Sequence, residues 1–221
     1  MRYFADLVGP NGFVVGVDHD PVSLDFGHRY LSGFPFKNWE LKHSDLIVYE
    51  EPLDSFDVII LFNCIGYFES PVEVVKKIAR KLKRGARLIV KDFDLESFFL
   101  APIETFRFAE LIENAKKQDR DQNPLKFTNF FGRNVHFLHK EFNFYSYTNE
   151  IWTQSMSYPF NQYEVEYIWR NVEVLVLQAK QTCPKDTIEY FEENFCGHRK
   201  SFFEHQKSLF LENEYLTIWV V

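Results

Sequence analysis

Cysteine is scarce in this chain, with three among 221 residues. Cys64, Cys183 and Cys196 form an odd, widely spaced set. That spacing excludes a disulfide framework and the close pairs of a zinc site, and it fits the reduced thiols of a cytoplasmic protein. No run is long and apolar enough to span a bilayer, and no secretory leader pattern stands at the N-terminus, so no membrane is expected as a partner. Positive charge is in deficit: 25 Lys and Arg stand against 32 Asp and Glu, a formal net charge of -7. A general nucleic-acid binder presents a basic face, so a nucleic-acid partner is not expected either. The chain has no Gly-x-x-x-x-Gly-Lys-Ser/Thr phosphate loop, no His-Glu-x-x-His zinc motif and no catalytic triad. His136 and His139, with Glu141 nearby, lack a further convergent ligand, so packing is the expected role and no metal is assigned. Internal repeats, low-complexity tracts and clear linkers are absent.

What is present is an apolar fraction of 46%, with 25 Phe and 11 Tyr, enough for a bulky aromatic core. The most telling stretch runs from Val14 to Asp18: a β-branched strand that stops at a carboxylate. In nucleotide-binding α/β folds, an acid at a strand's carboxyl end accepts hydrogen bonds from ribose hydroxyls. Arg2 to Val8 reads as a helix stopped by Gly9-Pro10. Pro21 to Leu31 reads as another, with Asp20 or Ser23 near its start. Trp39 to Leu41 is a short strand. Phe56 to Phe62 is a continuous apolar run, which predicts a strand buried on both faces. Ser70, Pro71 and Glu73 form a capping-box pattern that opens a helix running to Gly85. Arg87 to Lys91 is a strand ending at Asp92-Phe93-Asp94. Strands alternating with helices predict parallel pairing.

The pattern loosens beyond residue 95. Glu104 to Lys117 reads as a helix, Asp119 to Asn123 as a polar break, Arg133 to Lys140 as a short helix and Phe142 to Trp152 as a strand. Asn161 with Glu164 repeats the capping-box signature at the head of a helix towards Lys180. Helices are expected over Lys185 to Phe195 and Arg199 to Leu211, split by Gly197. Tyr215 to Val221 is a terminal strand by composition.

In this order the motifs resemble those of the class I S-adenosylmethionine-dependent methyltransferases, on the small-molecule branch. Gly12 to Asp18 matches the family's second strand and ribose-binding acid. Ser44-Asp45-Leu46 matches the turn after the third strand. Phe56 to Asn63 matches the fourth strand and its exit, and Pro71 to Asp94 the following helix and fifth strand. Phe131-Gly132-Arg133 matches the link into the sixth strand, and Tyr215 to Val221 the seventh. The resemblance is close over residues 1–95 and in outline beyond. It implies one α/β domain over 1–221: a Rossmann-like, doubly wound, mostly parallel sheet with an antiparallel terminal strand. Residues 1–95 would be the cofactor half, 96–214 a helical cover with the sixth-strand region, and 215–221 the last strand.

Two departures stand out. Gly85-Ala86 replaces the family's Gly-Gly. The glycine-rich first motif, expected before Arg2, is missing, since only seventeen residues precede Asp18. The reading that follows is of a chain N-terminally incomplete relative to the family, or one whose gap another segment or subunit fills. An alternative is a catalytically inactive relative that serves as an interaction or regulatory protein. A nicotinamide-dependent reductase is a third reading, and it too would need the glycine turn.

The resemblance implies S-adenosylmethionine as cofactor and transfer of its methyl group to a small molecule. Asp18 would take the ribose hydroxyls and His19 would lie against the adenine. Asp45 and the Leu46 amide would hold the adenine edge, and Asn63 the ammonium end. Asp18 is also readable as a loop acid, and Asp45 as a turn former. Tyr67, Phe68, Asp92, Phe93 and Asp94 stand at strand carboxyl ends, where α/β sheets bind ligands. Tyr67, Asp92, Asp94, Arg133 and Trp152 are the candidate substrate contacts, with Tyr158 beside them in the cover. Asp92 or Asp94 would orient the acceptor or act as its base, or else serve as a cap or surface charge. No residue is assigned as catalytic, because an activated sulfonium asks mainly for alignment. A homo-oligomer or partner subunit is compatible with this reading.

Overall fold

The computed structural model describes residues 1–35, 37–122, 130–142, 144–196 and 201–221. Its internal contacts divide the chain into two compact units, Met1–Leu53 and Asp54–Val221.

The first unit contains α1 (Arg2–Val8), β1 (Val14–Asp18), α2 (Pro21–Ser32) and β2 (Trp39–His43). Helix α1 stops at Gly9, whose φ of 67° lies in the left-handed region that glycine occupies without strain. The buried Asn38 amide donates to the carbonyls of Ala5 at 2.9 Å and Gly9 at 2.7 Å, and so ties the end of α1 to the approach to β2. β1 and β2 pair in parallel, from Val14 opposite Trp39 to Asp18 opposite His43. A parallel pair needs a crossover, and α2 supplies it. Asp20 caps α2 as expected, accepting from the Val22 and Ser23 amides, with Pro21 at the first helical position.

The second unit begins with β3 (Phe56–Phe62), α3 (Pro71–Ala79), β4 (Leu82–Phe93), β5 (Phe99–Ala101) and α4 (Thr105–Gln122). It continues with β6 (Ser146–Ser157), α5 (Gln162–Ala179), α6 (Lys185–Phe191), α7 (Ser201–Glu204) and β7 (Leu209–Val220). β3 and β4 are parallel, whereas the terminal strand β7 runs antiparallel to β4, β5 and β6. The parallel pairs, the crossover helices and the antiparallel last strand are those of a Rossmann-like α/β fold.

The aromatic residues build the core of this unit. Phe98, Phe191, Phe195, Phe202 and Phe210 cluster with Ile168, Val172 and Leu175 of α5. Each buried side chain of this size contributes roughly 1.5–3 kcal/mol. Two polar contacts cross the interior. The Tyr167 hydroxyl donates to the fully buried Glu212 carboxylate at 2.6 Å, and Lys91 pairs with Glu214, both side chains nearly buried.

The structure corrects four sequence expectations. β3 is not buried on both faces: Val58 and Phe62, which share one face of the strand, are each 45% exposed. The helix after Ser70 ends at Ala79 rather than near Gly85. The Ser70 side chain makes no cap bond, and Glu73 instead meets Lys76 at 2.8 Å. The Ser55 and Phe56 amides bond the Lys81 carbonyl, which draws the chain into the sheet; β4 therefore starts at Leu82 and contains Gly85 at φ 79°. α4 continues through the expected polar break as far as Gln122. The last expected helix shrinks to Ser201–Glu204, because residues 209–211 are claimed by strand pairing with β5 and β6. Asn123, Gly197 and Arg199 lie outside the described residues. The Asn161–Glu164 capping box forms as expected.

Candidate functional site

In the first unit the candidate residues lie at the carboxyl ends of β1 and β2. Asp18 ends β1, and its Oδ1 accepts the Asp20 N–H at 2.9 Å. This bond fixes the orientation of the carboxylate. Oδ2 has no hydrogen-bond partner among the described residues, and the side chain is half exposed. The Ser44 N–H donates to the Asp18 carbonyl at 3.0 Å, which joins the two strand ends. His19 is largely exposed, with Nδ1 3.7 Å from Asp18 Oδ1. Its carbonyl lies 3.0 Å from His43 Nε2. Asp45 forms a turn: its Oδ1 accepts from the Ile47 amide at 2.8 Å, and its carbonyl accepts from Val48 and Tyr49. The Leu46 N–H at the head of this turn is unclaimed among the described residues. A nucleoside needs an acceptor for its vicinal hydroxyls and a donor for a ring nitrogen. Asp18 Oδ2 and the Leu46 N–H are groups of these kinds, so the residues present fit the nucleoside half of S-adenosylmethionine.

In the second unit the carboxyl ends of β3 and β4 come together. The Asn63 N–H donates to the Lys91 carbonyl at 2.9 Å. The backbone then turns at Asn63 through φ 51°, a left-handed conformation that asparagine tolerates better than most residues. The turn leaves the Asn63 side chain exposed. A 3-10 turn over Ile65–Tyr67 follows and carries the Gly66 N–H to within 3.4 Å of Asp92 Oδ2. The Phe93 N–H meets Asp92 Oδ1 at 3.0 Å. Asp92 is 6% exposed. Burial pushes its carboxyl up to about 6, against the opposing pull of the Gly66 and Phe93 amides and of Lys91. Tyr67 is exposed beside it, and its phenol is held above the ordinary value by partial burial and then by the Asp92 charge.

The elevated Asp92 carboxyl has a consequence for stability. Its folded value of about 6 lies above the ordinary 3.8, so the folded chain favours the protonated form. That contribution is fully present below about pH 4 and is lost as pH rises through about 6. An Asp92→Asn variant stays neutral throughout. It is expected to match the parent near pH 4 and to exceed it at pH 8 by roughly 2–3 kcal/mol, at ~1.4 kcal/mol per pH unit. Denaturant midpoints at the two pH values check this.

Asp94 and Arg133 are joined to each other. Asp94 is fully buried and accepts from Arg133 Nε at 2.6 Å, from Arg133 Nη2 at 3.2 Å and from the Glu96 amide at 3.0 Å. Gly132 makes this joint possible: a Cβ there would lie 2.6 Å from the Phe93 carbonyl group. Trp152 is half exposed on β6, opposite Glu214 of β7, its indole N–H donating to Glu150 at 2.8 Å. Tyr158 is exposed just beyond that strand. His136 packs on the Tyr215 ring and meets the Glu150 carbonyl, while His139 stacks on Tyr147. Among the described residues no group of three or more His, Cys, Asp or Glu is placed to hold a metal. Sequence reasoning did not single out Gly66, whose amide reaches Asp92. The available signal was a glycine four residues past the end of the apolar strand Phe56–Phe62. The Lys91–Glu214 pair left no local trace, because its members are 123 residues apart.

Comparison with known proteins agrees with the fold. A family model described as a methyltransferase domain matches residues 2–155. Demethylmenaquinone methyltransferase of Tropheryma whipplei (strain Twist) is 32% identical over 89 residues, which is 40% of this chain and 36% of the relative. The chain thus spans about a third of that protein's length. Among solved structures, the YcgJ protein of a Bacillus species superposes with a TM-score of 0.54 at 16% identity, covering 93% of this chain and 81% of its own. A protein of Bacillus halodurans C-125 superposes equally well, at 0.54 and 11% identity, with the same coverage. At these identities the structural likeness establishes the fold alone.

Proposed function

The chain belongs to the methyltransferase-domain family, and from that membership we propose that it moves the methyl group of S-adenosylmethionine to a small-molecule acceptor. The observation that carries the cofactor reading is the Asp18 carboxylate, pinned through Oδ1 and open at Oδ2 on the tip of β1. Asp18 accepts the ribose hydroxyls. The Leu46 N–H donates to the adenine ring, Asp45 accepts from its amino group, and His19 lies against its face. When bound, the cofactor supplies an already activated methyl group. The protein's part is to align the acceptor and exclude water.

Asp92 is the group suited to receive a proton from the acceptor's nucleophile. It is buried and held by two amides, and it ionises near pH 6. Tyr67 offers an exposed aromatic face beside it. The rate of transfer should therefore rise as pH passes through about 6 and then level off. Demethylmenaquinone is the first acceptor to offer, with simple phenols and amines alongside it. The test incubates the protein with methyl-labelled S-adenosylmethionine and these acceptors. Label in a small acceptor, with the pH limb lost in Asp92→Asn, supports the reading. Transfer that is unchanged in Asp92→Asn removes the assigned base, and failure to bind the cofactor removes the reading altogether.

A further inference from the structure

We propose that His43 is a positioning residue for the cofactor site: it orients the peptide group joining His19 to Asp20, and that peptide orients the Asp18 carboxylate. The inference rests on the reading of Asp18 as the ribose acceptor. Asp18 and His43 are the last residues of β1 and β2 and stand opposite each other in the parallel register. Partners in register share a face of the ribbon, so the imidazole reaches the turn that follows Asp18. Its Nε2 lies 3.0 Å from the His19 carbonyl oxygen. A carbonyl oxygen only accepts, so Nε2 carries the hydrogen and donates it. On the far side of the same peptide, the Asp20 N–H donates to Asp18 Oδ1 at 2.9 Å.

A peptide unit is planar and trans, so its C=O and N–H point in opposite directions within one plane. A donor on the oxygen and an acceptor on the hydrogen therefore clamp that plane from both ends. Each bond also polarises the peptide in the sense that strengthens the other. Neighbouring groups do not replace the clamp. His19 Nδ1 is 3.7 Å from Asp18 Oδ1, beyond hydrogen-bond distance. The Asp20 carboxylate is occupied with the Val22 and Ser23 amides at the head of α2. The Asp18 side chain is half exposed, so a carboxylate released from the Asp20 N–H is free to turn into water. Without the His43 donor the peptide has one anchor fewer, and Oδ2 loses the fixed direction that two ribose hydroxyls require. His43 is assigned no contact with the cofactor; it acts through one peptide plane.

The test measures the clamp and the cofactor separately, both on the whole chain. His43→Leu removes the donor, whereas His43→Gln places an amide N–H at a similar reach. In the free protein, the Asp20 amide proton should move upfield and exchange with solvent roughly threefold faster in His43→Leu. It should keep its parent position in His43→Gln. S-adenosylhomocysteine should bind His43→Leu roughly three- to tenfold more weakly than the parent, the worth of one hydrogen bond, and His43→Gln within about twofold of it. In an Asp18→Ala background, His43→Leu should change the affinity by less than about twofold, because the group it positions is gone. A merely structural role would weaken binding in both backgrounds. Circular dichroism checks that each variant keeps its fold. An Asp20 amide indifferent to His43→Leu, an undiminished affinity in that variant, or an equal loss in the Asp18→Ala background would each overturn the role of His43. A parent that binds no S-adenosylhomocysteine, while the Asp20 amide responds as expected, overturns the cofactor reading, and the positioning role falls with it although the clamp stands.

Discussion

Replacing Asp18 with alanine is expected to weaken binding of S-adenosylhomocysteine by about a hundredfold. The estimate rests on two charge-assisted hydrogen bonds to the ribose, each worth roughly 1.5–3 kcal/mol. Part of that is returned because the site is half open to water, which leaves about 3 kcal/mol, or two decades in the dissociation constant. Asp18→Asn retains an acceptor oxygen but not the charge, and should fall between the two. The carboxylate's one fixed internal bond, from the Asp20 amide, is local to the turn. Helix α2 keeps its own cap at Asp20, so the fold should survive the change. Isothermal titration of the three proteins measures the effect. Equal affinity in the parent and Asp18→Ala would remove Asp18 from the cofactor site.

A large loss of stability is expected from Arg133→Ala. Asp94 is fully buried, and the guanidinium is its only cationic partner within hydrogen-bond distance among the described residues. Breaking a buried ion pair from one side typically costs ~3–5 kcal/mol, because the remaining charge stays out of water. Here Arg133 is itself partly exposed, and the amides of Glu96 and residue 133 still reach the carboxylate. The expected cost is therefore nearer 2–3 kcal/mol on that scale. A shift of the denaturation midpoint, with the slope unchanged, would show it. Arg133→Lys should recover only part of the loss, since one ammonium cannot reproduce the two-point contact. A variant as stable as the parent would mean that Asp94 finds another partner.

The parts of this fold that were legible in sequence are those with local causes. Asp20 before Pro21, and Asn161 three residues before Glu164, announce helix starts because their partners lie within one turn. The acid ending Val14 to Asp18 was readable for the same reason: a short strand and its tip are contiguous in sequence. Ser70 carried an equally good pattern and still made no cap, since that pattern does not fix where the side chain turns. Gly85 looked like a helix stop, but Lys81 was already engaged by the amides of Ser55 and Phe56. That contact is long-range and leaves no periodicity to read. Asp94 and Arg133 were each singled out as substrate contacts, and sequence held nothing to show that they bind each other. Asp92 and Asp94 are alike in sequence. They separate only through their surroundings, one beside an arginine and the other beside backbone amides.

The amide spectrum of the isotopically labelled chain, recorded during titration with S-adenosylhomocysteine, tests the cofactor assignment most directly. Saturable shifts should appear at Asp18 to Asp20 and at Asp45 and Leu46, while the amides of β6 stay in place. A spectrum that does not change, or shifts that spare both segments, would contradict the account.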